Sequence, residues 1–384
     1  MVRDDRNPTL LALTSSALLL PIYQGASADA PPEFTEVGVR YSRYKEDDIL
    51  GRNAFGGGSE RYKIDVAQFR MLAPVADDWS FALDVAWEDM SGASPWYVGQ
   101  IVGESPKVIM SGASIEDTRT EVSGTTRYYY DRGNAGLSLT YSDENDYESK
   151  AIALDGSLNS EDGMTTYSAA ISTADDHIDP TQGTRPTNTL SATKDVSSAW
   201  VGVTRIVSQR ALVRFGLSYT YREGFLTDPY KKDDRRPDER NEWTIGAGYR
   251  HFFEEQNGAL HIDYRYFNDD WDVQSHTVDV AWHQNFGQDT TVTPFIRYYT
   301  QHEAEFFSNL QDVEARYFAD DYRLAPFGAF SYGVRLSHEL GNWSVNLDAE
   351  RYRTDESWGV FSGEVSPGLV DFWRYGVGLN YVFK

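Results

Sequence analysis

The sequence predicts an all-β fold: a single transmembrane antiparallel β-barrel of about sixteen strands, within a range of 14–18, with long extracellular loops and short periplasmic turns. Three observations carry that prediction. Segment after segment alternates apolar and polar residues, with Trp and Tyr gathered near the segment ends. The connections between segments alternate short and long. The chain opens on a secretory signal. A soluble sheet hides its apolar face under another layer, whereas a membrane barrel turns that face to lipid and places aromatics at the two water interfaces.

The signal comes first. Arg3 and Arg6 form a short charged head, Leu10 to Leu20 an apolar core, and Ala26-Ser27-Ala28 a small-residue cleavage site. This sets residues 1–28 apart as a signal peptide and leaves 29–384 as one barrel domain. The 384 residues include 10 Trp, 25 Tyr and 19 Phe, no Cys, and a formal charge of −24. No later stretch approaches the roughly 20 apolar residues of a membrane helix. Otherwise only a closed barrel pairs every backbone group inside a bilayer. The lack of Cys excludes a disulfide framework, thiolate zinc sites and c-type haem attachment. Net acidity argues against nucleic acid as a partner.

In chain order, alternation predicts strands over 34–46, 62–73, 79–90, 116–130, 134–147, 150–160, 164–176, 196–207, 211–224, 239–252, 258–268, 273–286, 290–302, 327–339, 342–354 and 371–383. The patterns at 79–90 and 211–224 are clean: Phe81, Leu83, Val85 and Trp87 oppose Ala82, Asp84, Ala86 and Glu88, and Val213, Phe215, Leu217, Tyr219 and Tyr221 oppose Arg214, Gly216, Ser218, Thr220 and Arg222. The last strand is equally clear, with Trp373, Tyr375, Val377, Leu379, Tyr381 and Phe383 on one parity. Segments 62–73 and 196–207 are ambiguous in parity, as bulges would make them. Tight links fall near 74–78, 131–133, 161–163, 208–210, 253–257, 287–289 and 341. Long ones span 47–61, 91–115, 177–195, 225–238, 303–326 and 355–370, with two shorter ones on the same side near 148 and 269–272. Such two-sidedness marks an outer-membrane barrel of a Gram-negative bacterium, and an even strand number puts both termini at the short-turn end.

Some segments are more specific. Met90-Ser-Gly-Ala-Ser-Pro-Trp-Tyr97 is followed by Met110-Ser-Gly-Ala-Ser114, with Glu60-Arg-Tyr-Lys-Ile-Asp-Val-Ala-Gln-Phe-Arg70 upstream. Tyr141-Ser-Asp-Glu-Asn-Asp-Tyr147, Asp228-Pro-Tyr-Lys231 and Tyr264-Arg-Tyr-Phe-Asn-Asp-Asp-Trp271 lie downstream. With these the chain resembles the bacterial outer-membrane family catalogued as domain of unknown function 3570, over essentially its whole mature length. The resemblance implies a porin-like barrel behind a signal peptide and brings no established substrate or catalytic residue. Many outer-membrane barrels end in an aromatic residue; here Phe383 is penultimate and Lys384 last.

If the polar parity faces the lumen, its basic lining is Arg40, Arg119, Arg127, Arg214, Arg222, Arg250, Arg265, Arg297, Arg335 and Arg374. Its acidic lining is Asp65, Asp84, Glu88, Glu121, Asp155, Glu242, Asp263, Asp279, Glu339, Asp348 and Glu350. Ten against eleven makes the wall nearly neutral and assigns the acidity to loops and turns. Arg–carboxylate pairs there would stiffen and narrow the barrel, set the selectivity of a solute path, or do both.

The loop from Ser91 to Ser114 is apolar for an outer loop, through Trp96, Tyr97, Val98, Ile109 and Met110 among others. Three dispositions fit it: a constriction folded into the mouth, a cover on the rim, or a dock for another protein. Acidic pairs such as Asp233-Asp234 and Asp320-Asp321 suit divalent cations between lipopolysaccharide head groups, but their spacing matches no calcium loop, and a solvated surface accounts for them. His302, with Glu303 and Glu305, is the best enzymatic candidate, although no His-Glu-x-x-His or nucleophile-elbow setting exists. His261 and His283 share the lumen parity, where ordinary hydrogen bonding accounts for them. No metal, nucleotide or cofactor motif is present.

The functional expectation is a non-enzymatic pathway for small hydrophilic solutes or ions. A structural barrel with a closed lumen is the alternative, holding a redox or secretion component at the 91–114 loop or the periplasmic face. An outer-membrane hydrolase comes third. Membrane lipid and lipopolysaccharide are the expected surroundings.

Overall fold

Period-2 alternation settles the two faces of each strand, and backbone pairing settles the rest. The computed structural model describes residues 30–55, 60–110, 115–180, 191–310 and 314–384, so the signal segment lies outside the described residues. The strands in chain order are β1 (Thr35–Glu46), β2 (Lys63–Ala76), β3 (Trp79–Gly92), β4 (Pro95–Gly99), β5 (Lys107–Met110), β6 (Ile115–Tyr130), β7 (Gly133–Asp143), β8 (Tyr147–Asn159) and β9 (Thr165–Ile178). They continue with β10 (Ala192–Ser208), β11 (Ala211–Gly224), β12 (Glu239–Phe253), β13 (Gly258–Asp269), β14 (Gln274–Phe286), β15 (Thr290–Gln301), β16 (Phe327–Leu340), β17 (Trp343–Asp355) and β18 (Phe372–Phe383). All but β4 and β5 form one closed antiparallel barrel of sixteen strands, in which β3 pairs directly with β6. β4 and β5 make a separate hairpin.

The barrel closes between its first and last strands, in register from Thr35 opposite Phe383 to Glu46 opposite Phe372. The penultimate Phe383 therefore completes the seam. Each predicted strand is present. β7 stops at Asp143, four residues before the predicted end, because Glu144, Asn145 and Asp146 make a turn to β8. The hairpin β4–β5 is an addition inside what the sequence presents as a loop. Register shifts occur at Pro74/Ala76 in β2 and at Ile206/Ser208 in β10, the two strands of unclear parity.

The outer face is an apolar band. Leu139, Ile171, Val201, Phe215 and Leu347 stand exposed there while their sequence neighbours turn inward. Rings flank it at both edges, with Trp79 on Tyr128 and Trp343 on Tyr381 near the short turns, and Tyr219 on Trp243 near the long loops, at centroid separations of 4.5–4.9 Å. A continuous exposed apolar belt needs a partner, and a bilayer core fits it.

The ambiguous strands resolve for identifiable reasons. In β10, Trp200 points inward and lies over Gly202 and Gly216: a Cβ at Gly202 would fall 2.5 Å from the indole. In β2 the assignment of Asp65 to the lumen is corrected. Asp65 faces out, where Arg43 binds it through two nitrogens at 2.7 and 2.8 Å. Arg70 faces the lumen instead, 3.7 Å from Asp84.

One substitution pair tests which face meets lipid. Ile171→Arg should destabilise the barrel in bilayers by about 2–4 kcal/mol, the cost of arginine near the membrane midplane, while the neighbouring inward Ser172→Arg should cost much less. Urea unfolding in liposomes reads the difference, and equal costs would contradict the orientation.

Candidate functional site: a charged lumen under an interlocked cap

The inner wall is a lattice of arginines and carboxylates from neighbouring strands. Arg40 pairs with Asp348, Arg127 with Asp155 at 2.7 Å, Arg222 with Glu242 at 3.1 Å, Arg297 with Asp279 at 2.6 Å and Arg374 with Glu350 at 2.6 Å. Asp263 holds both Arg214 and Arg250, at 2.8 and 2.6 Å. Arg119 gathers Glu88 and Glu121. Planar guanidinium forks suit such shared geometry better than an ammonium would.

Several pairs reach across an intervening strand, and a glycine makes this possible. Arg127 and Asp155 meet over Gly136, Arg214 and Asp263 over Gly248, and Arg40 and Asp348 over Gly376. At each glycine an added Cβ would lie within 2.7 Å of both partners. The inward glycines read in sequence as small spacers; in the barrel they are the floor beneath an ion pair.

Arg265 and Arg335 differ from the other predicted arginines. Among the described residues neither has a carboxylate within ion-pair distance. Arg265 donates to Thr277 Oγ1 at 3.3 Å, and Arg335 lies 4.2 Å above the Phe295 ring. The sequence reading missed the inward pairs Lys194–Asp176, at 3.0 Å, and Arg240–Asp269 near the outer end, because the predicted strands stopped short of Lys194 and Asp269.

The outer loops bind one another across the mouth. The β4–β5 hairpin leaves the wall between β3 and β6, yet it contacts loops from distant strand pairs. Lys232 N donates to Trp96 O at 3.2 Å, and Val98 N to Asp320 Oδ2 at 2.6 Å. Val108 N donates to Asn53 O and Phe55 N to Val108 O, while Arg235 and Phe318 exchange two backbone bonds at 2.8 Å. Trp271, Val273, Ala304, Phe306, Phe307, Ala319, Leu324 and Ala325 form an apolar core within the cap. Of the expected loop residues, Val98 is buried, and Ser91, Trp96, Tyr97, Ile109 and Met110 are half-buried. Ser114 lies outside the described residues. The hairpin thus lies over the mouth, with Val98 and Val108 covered by this chain itself while Ile101 and Val102 at its turn stay exposed.

Buried charges stitch the cap. Arg61 binds Glu46 at 2.7 Å and the Gly368 carbonyl at 3.0 Å, and sits over the Tyr322 ring. Arg236 bridges Asp234 and Asp321, and Arg323 bridges Asp321 and Asp228. Burial works against the charge on Asp321, but Arg323, Lys231 and Arg236 outweigh it and hold the carboxyl well below the usual range. A cavity of about 200 Å³ remains between cap and wall, lined by Arg222, Arg240, Trp271 and Arg323 among others.

At the start of β6 and in the turn between β7 and β8, Asp117, Glu144 and Asp146 bring carboxylate oxygens within 4.8 Å of one another. Burial, with Asp117 close by, pushes Glu144 up to about 8 and Asp146 up to about 7. Burial also raises Asp320 to about 6 against the pull of Lys231. His302, the enzymatic candidate, has its Nδ1 at 3.1 Å from Asp272 O and 2.8 Å from Glu303 O. No hydroxyl among the described residues hydrogen-bonds to its ring.

Fold and lining together define a porin-like membrane barrel with an ion-paired lumen. The chain belongs to the family described as protein of unknown function DUF3570, whose model matches residues 10–372. No curated protein matches it by sequence. Among solved structures it is similar to CdiB from Acinetobacter baumannii, at 9% identity and TM-score 0.54 over 92% of this chain and 60% of that one. It therefore spans 60% of the CdiB length. It is also similar to a bacterial polysaccharide outer membrane secretin, at 8% identity and TM-score 0.51 over 91% and 99% of the two chains. A BenF-like porin from Pseudomonas fluorescens Pf-5 aligns at 9% identity and TM-score 0.46 over 91% and 98%. At these identities the likeness is one of fold.

The raised carboxyls make the cap pH-dependent. A folded pKa above the unfolded one means that the ordered cap binds protons more tightly; its stabilisation is complete below about pH 4 and is lost as pH rises through the folded values. Hydrogen exchange of the outer loops, corrected for intrinsic rates, should quicken between about pH 6 and about pH 8. Glu144→Gln should shrink that change, and loops equally protected at both values would contradict it.

Proposed function

We propose that this protein is a passive, weakly selective pathway for small hydrophilic solutes or ions across the outer membrane of a Gram-negative bacterium, exported behind a cleaved signal peptide, surrounded by membrane lipid and lipopolysaccharide, and catalysing no reaction. The observation that carries this reading is the closed sixteen-strand barrel with a polar, ion-paired inner wall. Barrels of about this strand number enclose an aqueous channel unless a loop fills it. The cap acts as the constriction, so flux is expected to be slow and size-limited.

The paired arginines and carboxylates cancel one another toward a passing solute. Of the predicted lining charges, among the described residues, Arg265 and Arg335 are left without a carboxylate and Glu339 without a cation, so the balance is slightly positive and the pathway weakly prefers anions in spite of the net charge of −24. The interlocked loops favour a second reading, a closed structural barrel that holds a partner at its cap or its periplasmic face.

Planar-bilayer recording separates the two. Stepwise currents with a reversal potential on the anion side support the pathway; a silent folded barrel supports the scaffold. Arg335→Ala combined with Arg265→Ala should move the reversal potential toward cations. Deleting residues 95–109 should raise conductance, and an unchanged current would reject the cap as the constriction.

A further inference from the structure

Two imidazoles face each other on the lumen wall, and the solute pathway gives them no task. His261 on β13 and His283 on β14 both point inward, with ring centroids 4.0 Å apart and planes tilted by 43°. Between β13 and β14 their register partners are small, His261 opposite Ala281 and His283 opposite Ala259, while on the β12 side His261 lies opposite Arg250. Both sit in the half of the barrel nearer the short turns. His177, His251, His276 and His338 face outward on their strands, and His302 belongs to the cap.

One ring is already oriented. His283 Nδ1 lies 3.1 Å from Thr293 Oγ1 on the next strand. When that nitrogen donates to the hydroxyl, Nε2 carries the lone pair and turns to the lumen. Outer hydrogen bonds of this kind fix the tautomer of metal-bound histidines. Among the described residues, no hydrogen bond reaches the His261 ring. Two nitrogens on one tetrahedral ion, each at about 2.0–2.1 Å, stand roughly 3.4 Å apart. The ring centroids, 4.0 Å apart, are closer than the roughly 5 Å of two imidazoles on one tetrahedral ion, so loading requires the unbonded His261 ring to swing away by about 1 Å while Thr293 holds His283. Asp263 is engaged by Arg214 and Arg250, so it offers no third ligand and partly offsets their charge.

We propose that His261 and His283 form a two-imidazole site for a borderline divalent transition metal, Zn²⁺ or Cu²⁺, on the lumen wall. Imidazole suits these ions, whereas Ca²⁺ and Mg²⁺ take oxygen ligands. Water or a solute anion completes the coordination. An ion held there narrows the lumen and adds positive charge near Arg335.

The test is calorimetric titration of tag-free folded barrel in detergent with ZnCl₂, alongside electron paramagnetic resonance of the Cu²⁺-loaded protein. The expected result is one saturable ion per barrel with hyperfine coupling to two imidazole nitrogens, and no binding of CaCl₂. His261→Ala and His283→Ala each abolish it, and Thr293→Val weakens it about tenfold by freeing the ring. The outward His276→Ala leaves it intact. Heat-modified gel mobility reports folding, and His261→Gln and His283→Gln serve if the alanine variants do not fold. Absence of saturable binding by the intact barrel, or an affinity unchanged in the lumen variants, overturns the proposal. The readout needs no current, so a barrel that proves silent in bilayers leaves the metal result standing.

Discussion

Closure of the hydrogen-bond ladder between β1 and β18 is the constraint on which the rest of the structure depends. A backbone N–H or C=O left unpaired in hydrocarbon costs several kcal/mol, and an open sheet would present a full row of them. The register from Thr35–Phe383 to Glu46–Phe372 removes that edge. Once the sheet is closed, each side chain must face either lipid or lumen. The exposed apolar band, the aromatic edges and the polar interior follow from that division.

Closure also fixes what the lumen has to solve. Inward arginines and carboxylates, brought together without the freedom to leave, form pairs between neighbouring strands and across them. The glycines at 136, 248 and 376 give those pairs room, because a side chain there would part them. Lattices of this kind neutralise most of the wall, and among the described residues predicted to line it they leave only Arg265, Arg335 and Glu339 outside an ion pair. The acidity of the whole chain says little about its inner surface.

The cap follows a different logic. Its loops come from strand pairs far apart around the barrel and hold together through backbone bonds, one apolar core and buried ion pairs. Such pairs gain little over apolar packing, yet breaking one partner strands a buried charge and is costly. The cap is therefore a single cooperative object rather than a set of independent loops. The raised Glu144 and Asp146 place a proton-sensitive cluster at its edge.

The sequence by itself determined the barrel, a strand number of about sixteen, the two-sided loop lengths and most of the inward charges, because a period of two is a local property that a clean strand such as Phe372–Phe383 states alone. It put Asp65 on the wrong face and left Arg70 and the inward side of Trp200 unstated, since a strand with apolar residues on both parities carries no local vote. It did not show the β4–β5 hairpin either, whose strands are too short for a period to be read. Which side chains meet across strands was decided by the tertiary structure alone: the Arg–Gly–carboxylate bridges, the crossing of the cap, and the contact of His261 with His283. Those meetings depend on lateral register and on the curvature of a closed sheet, and both arise only when all sixteen strands have paired.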